Sequence, residues 1–319
     1  MRQVIDFDQL ISPLTTRDIV ECCESGKPMY QAGSRVKFRG LFSRKRLDEA
    51  CRRAVELHVT YASEGRESMT PLSSINADEV NAHYQAGGTV CITGVNRASS
   101  ELGGLARACK TSLGWSGLVD CRAYLSKAGA GYTPHFDDKT VITLQIEGSK
   151  QWFVDVAPAV RHPIANAGRF PDGVYRYFRS APELEPWEQF DQPRFPSEAS
   201  TYTLSAGDIL IVPAGVWHTA CAQGHSLSVA LTLNHVGAGS THEIIFSTLL
   251  KQALSDPNWR GAAPMAPRSS GIKEAYETLS EVDAFFVERL HALRQWVDKS
   301  LDDRTDIIRT WSQRMSAGD

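Results

Sequence analysis

Two short stretches, far apart in the chain, constrain its fold more than anything else in it. One is Thr133-Pro134-His135-Phe136-Asp137-Asp138. The other runs from Gly207-Asp208 through Ile209-Leu210-Ile211-Val212-Pro213 to Ala214-Gly215-Val216-Trp217-His218. The first lies in β-forming sequence, and side chains at i and i+2 of a strand share a face, roughly 7 Å apart at Cα. His135 and Asp137 therefore converge, and Phe136 points the other way. His218 joins them only if the fold brings a distant strand alongside. Two histidines and one carboxylate on one face of a metal leave three adjacent positions open, which is the facial triad of non-haem Fe(II) oxygenases.

A lone His-x-Asp is more often a chance pair on a surface strand, and a lone histidine a satisfied core residue. Context reverses those odds. After the first half comes the apolar run Val141-Ile142-Thr143-Leu144-Gln145-Ile146, then a turn at Glu147-Gly148-Ser149. Before His218 comes the apolar strand Ile209–Val212, broken by Pro213 and Gly215. Strand, turn, strand is the texture of a small antiparallel barrel.

On these residues the chain resembles the JmjC branch of the cupin superfamily, and within it the ribosomal-oxygenase (cupin-4) subgroup and the asparaginyl hydroxylase of hypoxia-inducible factor. The resemblance covers roughly residues 70 to 236. It implies an α+β fold: a double-stranded β-helix (cupin or jelly-roll) barrel with N-terminal helices and a strand, and a C-terminal helical region. It also implies Fe(II), 2-oxoglutarate and O2, with His135, Asp137 and His218 as metal ligands. Lys150 matches the basic residue that binds the far carboxylate of 2-oxoglutarate, Tyr124 the tyrosine that shares it, and Asn234 an asparagine near the cosubstrate. Arg122, two residues before Tyr124, shares its strand face, where it lines a pocket for a substrate carboxylate or pairs with an acid at the rim.

Lys150 has independent support. A dicarboxylate held by iron at one end needs a cation or hydroxyls at the other. A lysine on the same strand face as Trp152 and Val154 is partly buried, and a buried ammonium needs a counter-charge. Taken alone, a lysine after Gly-Ser reads as a solvated hairpin residue.

Organisation along the chain fits one catalytic unit and an appendage. Residues 1–236 read as the catalytic domain, with the barrel core at about 118–236, and residues 237–319 as a helical region. In the lead-in, Leu47 to Leu57 fits an amphipathic helix, Asn76 and Glu79 a capped helix start, Gly88 to Thr93 a strand, and Ser99 to Leu113 a second helix. The segment 157–200 reads as an irregular insert and holds seven of the fifteen prolines. Long irregular inserts are often lids or binding loops, and Arg161, Arg169, Arg176 and Arg179 could meet an acidic substrate. Equally, aromatics such as Phe170, Tyr175, Tyr177, Phe178, Trp187, Phe190 and Phe195 could pack on the outside of the barrel.

Beyond the barrel, Thr241 to Ala253 reads as a helix. From Ile272 to Leu301 one apolar stripe repeats at spacings of three and four. In the resembled subgroup such a region mediates dimers, so a homodimer through these helices is compatible with the stripe. The last helix, Asp306 to Met315, is too short for the winged-helix domain that ends the ribosomal oxygenases.

Composition excludes more than it selects. A net charge of −3 gives no case for nucleic-acid binding, and no apolar run is long enough for a bilayer. The seven cysteines are scattered without a C-x-x-C, which reads as reduced thiols in a cytoplasmic protein. His225, His235 and His242 lack ligand-like pairing, and Trp217 belongs to the core. The leading reading is a 2-oxoglutarate dioxygenase that hydroxylates an amino-acid side chain in a protein or peptide. The alternatives are a hydroxylase of a free or carrier-bound amino acid in natural-product biosynthesis, and a non-catalytic metal-binding cupin.

Overall fold

The computed structural model describes residues 5–54, 56–62, 73–170, 172–178, 190–193, 199–261 and 272–316. Two short helices open the chain, α1 (Phe7–Ile11) and α2 (Thr16–Ser25). Thr15 caps α2, its hydroxyl accepting from the Asp18 amide while Asp18 accepts from the Thr15 amide, and Gly26 closes the helix in the left-handed region. Strand β1 (Met29–Gln31), helix α3 (Arg44–Cys51), strands β2 (Glu56–Thr60) and β3 (Ser73–Ser74), helix α4 (Val80–Gln85), strand β4 (Thr89–Thr93) and helices α5 (Val95–Ala98) and α6 (Ser100–Leu113) complete the lead-in.

Two sequence expectations fail in detail here. The helix expected from Leu47 to Leu57 begins at Arg44, because the Ser43 hydroxyl caps it by accepting from the Arg46 amide. It ends at Cys51, and Leu57 lies in β2, drawn there by pairing with Ile92 of β4. Asn76 does not cap α4. Its amide donates to Glu79, and the helix proper starts at Val80. The strand at Thr89–Thr93 and the helix capped by Ser99 lie where the sequence places them.

The sheet follows: β5 (Val119–Ser126), β6 (Gly131–Phe136), β7 (Lys139–Val154), β8 (Ala167–Arg169), β9 (Tyr175–Tyr177), β10 (Ser200–Ser205), β11 (Ile209–Val212) and β12 (His218–Asn234). Every pairing is antiparallel, in the path β1-β11-β7-β12-β5-β4-β2-β3. The two long strands β7 and β12 pair along most of their length and serve two sets of neighbours. The first part of β7 pairs with β11 and its last part with β10. The start of β12 pairs with β6 and its end with β5.

The turn expected at Glu147-Gly148-Ser149 is instead a bend inside β7. Gly148 has φ of 67°, and a Cβ there would strike the His225 carbonyl, so only glycine fits. Opposite it, β12 shifts register between Ala222 and Ser226, the signature of a bulge that redirects a strand without ending its ladder. The bend re-aims everything that follows it, Lys150 included.

Leu125, Ile142, Leu144, Val229 and Leu231 form the core on one face of the sheet, and Leu102 and Leu105 of α6 seal it. Buried Asp208 ties β1 to the β10–β11 turn, accepting from the Tyr30 hydroxyl and from the amides of Gly33 and Ser205. A second compact unit, Ala238–Ala317, holds α7 (Thr241–Ser255), α8 (Ile272–Asp302) and α9 (Thr305–Ser316). Within it Arg314 of α9 pairs with Glu243 of α7. Leu279, Phe286, Leu290 and Leu301 of α8 are each more than half exposed. Among the described residues no helix is long and apolar enough to cross a membrane.

Candidate active site

His135 ends β6, Asp137 sits in the turn after it, and His218 opens β12, directly paired with His135 in the ladder. One ligand atom from each lies within 4.8 Å of the others. Each imidazole is oriented by the backbone. The Nδ1 of His135 lies 2.7 Å from the Thr133 carbonyl and that of His218 2.9 Å from the Val216 carbonyl. A carbonyl only accepts, so both Nδ1 atoms carry the proton and both Nε2 lone pairs are free for a metal. The Asp137 carbonyl accepts from the Gly215 amide, which pins the turn.

Electrostatics match that role. Burial, reinforced by neighbouring His135, pushes the His218 pKa down to about 4 against the pull of Asp137. Burial works to raise Asp137, but Lys139, His135 and His218 together hold it below the usual carboxylate value. With Nδ1 of each ring turned to a backbone carbonyl, the set offers two Nε2 lone pairs and one anionic oxygen, a mixed N/O donor set that fits Fe(II).

The His218 shift has a measurable consequence. Unfolded, His218 takes up its proton near pH 6.5; folded, it resists until about pH 4. Between those values the unfolded chain binds more protons, so metal-free protein loses stability as pH falls through that window. Urea midpoints should decline from pH 6.5 to 4, and less steeply in His218→Asn. An identical slope in the variant rejects the assignment.

Strand alternation puts Phe136 and Trp217 behind the triad. Their rings meet edge to face at 4.8 Å, and Tyr175, Tyr177 and Phe190 of the insert close round them. Trp217 is fully buried and donates its indole N–H to the Asp191 carbonyl. Trp217→Ala should cost about 3–5 kcal/mol of unfolding free energy, read from urea melts. The insert therefore has two jobs: this aromatic buttress, and Arg169, Phe170 and Phe178, which line the cavity in front. Arg161 lies outside the cavity, and Arg176 pairs with Asp172 and stacks on Phe170. Arg179, Trp187 and Phe195 fall outside the described residues.

That cavity, about 410 Å³, holds the triad together with Arg122, Tyr124 and Lys150. Lys150 is 2% exposed, 3.2 Å from the Ser126 hydroxyl and 5.8 Å from the Tyr124 ring centre. Burial raises the Tyr124 pKa, so its phenol stays neutral. Trp152 stacks on His218 at 5.9 Å. The structure does not bring Asn234 to this cavity. It sits at the far end of β12, where its amide donates to the Leu118 and Thr232 carbonyls, because β12 continues past the triad for most of its length. His235 and His225 also lie elsewhere, against Thr140 and Glu147 respectively.

Sequence reasoning missed Tyr132, Ser126 and Cys91. Tyr132 packs against both Tyr124 and His135. A spacing of three should put it opposite His135, but the ladder slips between His218 and Ala220, so the pair shares a face. Cys91 reaches the cavity from β4, a neighbour of β5 that only the pairing reveals.

One cavity thus gathers His135, Asp137 and His218, a set that could hold a metal ion, and the buried Lys150. Residues 107–239 match the model of the JmjC domain. It is 28% identical over 237 residues to the bifunctional lysine-specific demethylase and histidyl-hydroxylase NO66 of Dictyostelium discoideum, covering 70% of this chain and 41% of that protein. It is 28% identical over 145 residues to YxbC of Bacillus subtilis, covering 44% of this chain and 40% of that protein. The chain thus spans about two fifths of these relatives. In structure it is similar to the ribosomal oxygenase YcfD of Escherichia coli, determined with cobalt and 2-oxoglutarate. There the TM-score is 0.57 and the identity 16%, over 96% of this chain and 72% of that one.

Proposed function

We propose that the protein is an Fe(II)- and 2-oxoglutarate-dependent dioxygenase that hydroxylates an amino-acid side chain in a protein or peptide. The observation that carries this is one cavity holding both the triad and buried Lys150. The names of NO66 and YcfD support a protein substrate, and the former extends the reaction class to demethylation. On this reading the sheet folds as a double-stranded β-helix, with the cavity between its layers.

His135, Asp137 and His218 hold the metal, and Lys150, Ser126 and Tyr124 hold the far carboxylate of 2-oxoglutarate. Bound Fe(II) with 2-oxoglutarate and O2 supplies oxidation of a C–H bond, with release of succinate and CO2. The chain's own residues do the rest. The Thr133 and Val216 carbonyls fix the imidazole planes. Lys150 neutralises a carboxylate away from water. Trp152 shields His218, and Phe170 and Phe178 of the insert limit access to the mouth.

The direct test is anaerobic titration of Fe(II)-loaded protein with 2-oxoglutarate, following the visible metal-to-cosubstrate charge-transfer band. A saturable band supports the oxygenase; no band in folded, iron-loaded protein leaves a metal-binding cupin without turnover. The exposed stripe of α8 is assigned to contact between subunits. Sedimentation of Leu290→Glu should then show monomers where the unaltered chain shows dimers.

A further inference from the structure

We propose that Arg122 recognises a carboxylate of the prime substrate, so that the site selects a substrate residue carrying a carboxylate close to the carbon it oxidises. This rests on the oxygenase reading above.

Arg122 lies on β5, two residues from Tyr124, and lines the cavity. Its guanidinium shares a hydrogen bond with the Tyr124 phenol, but its Nε is buried with no hydrogen-bond partner, and among the described residues no carboxylate pairs with it. A guanidinium does not deprotonate, so the charge stays. The groups that face it do not cancel that charge. Tyr124 and Cys91 are kept neutral by burial. Asp137 is within electrostatic reach, but it is a metal ligand and already lies 3.8 Å from Lys139. Asp120, two residues back along the strand, feels Arg97 more strongly than Arg122.

Loading the site leaves this imbalance in place. The two charges of Fe(II) and that of Lys150 are met by Asp137 and the two carboxylates of 2-oxoglutarate. Arg122, a half-buried side chain whose Nε is sealed from solvent, is then the charge in the cavity still lacking a counter-ion. Leaving a buried cation uncompensated is costly, and the planar fork of arginine matches a carboxylate bidentately.

Position separates this pole from the cosubstrate anchor. Lys150 contacts Ser126 at one end of the β5 face, while Arg122 lies four residues along it, roughly 13 Å at Cα, and on the side of Asp137.

The test uses the full chain loaded with Mn(II) and N-oxalylglycine, an unreactive mimic of 2-oxoglutarate, so binding is read without turnover. Calorimetry compares matched probes: N-acetyl-aspartate amide against N-acetyl-asparagine amide, N-acetyl-glutamate amide against N-acetyl-glutamine amide, and N-acetyl-leucine against N-acetyl-leucine amide. We expect at least one carboxylate member to bind at least tenfold more tightly than its neutral partner. Arg122→Gln should erase that difference and Arg122→Lys keep part of it, with melting temperatures checking that both variants fold. The first two pairs identify an acidic side chain, and the third a free terminal carboxylate.

Equal binding within every pair overturns the proposal. So does an Arg122→Gln loss of 2-oxoglutarate affinity as large as its loss of probe affinity, which assigns Arg122 to the cosubstrate. If wild-type protein shows no charge-transfer band, the oxygenase reading fails on its own, while the probe pairs still judge Arg122.

Discussion

Asp137→Ala is expected to abolish turnover and metal binding while leaving the fold intact. Asp137 supplies the triad's anionic oxygen, and without it two neutral imidazoles face a doubly charged ion. Mutations of residues that merely orient metal ligands cost about 10- to 100-fold in affinity or activity, so loss of a ligand should cost at least ~100-fold. Folding should survive, because Lys139 keeps its 2.6 Å ion pair with Asp138 and the turn is held through the Asp137 backbone carbonyl. The measurements are Co(II) affinity by calorimetry, succinate release, and circular dichroism. Full turnover in a folded Asp137→Ala protein would falsify the metal assignment.

The second large effect is at Lys150. Its ammonium is 2% exposed beside a hydroxyl and a neutral phenol. Lys150→Ala would leave the cosubstrate carboxylate buried without its cation. Truncating one side of a buried charge pair costs about 2–5 kcal/mol, and at about 1.4 kcal/mol per tenfold that is roughly a 30-fold loss of 2-oxoglutarate affinity or more. The charge-transfer titration reads it directly, and Asp137→Ala separates the two effects by removing the metal as well. Unchanged saturation in Lys150→Ala would move the far carboxylate elsewhere, with Arg122 the next cation in the cavity.

The triad was legible because two local rules apply to it. Alternation along a strand puts His135 and Asp137 on one face and Phe136 on the other, and an apolar run ending in Pro-Ala-Gly delivers His218 as the next strand starts. Lys150 was legible as a buried lysine for the same reason, since Trp152 and Val154 share its face and are buried with it. The helix caps at Thr15, Ser99 and Ser240 follow local hydrogen-bonding rules.

What resisted reading was non-local. Asn234 shares β12 with His218, but a strand that long leaves the cavity behind. Tyr132 faces the metal side only because of a slip in the β6–β12 ladder. Leu57 changed from helix to strand once β4 offered it a partner.

The sequence by itself therefore determined the ligand types, their strand faces and the apolar back of the site, all set by the chain's period of two and by turn chemistry. Only the tertiary structure decided that His218 pairs with His135, that the Gly148 bend turns Lys150 inward, and that Arg122 lines the same cavity. Those outcomes depend on which strands pair and in what register, and pairing energy belongs to partners far apart in the chain.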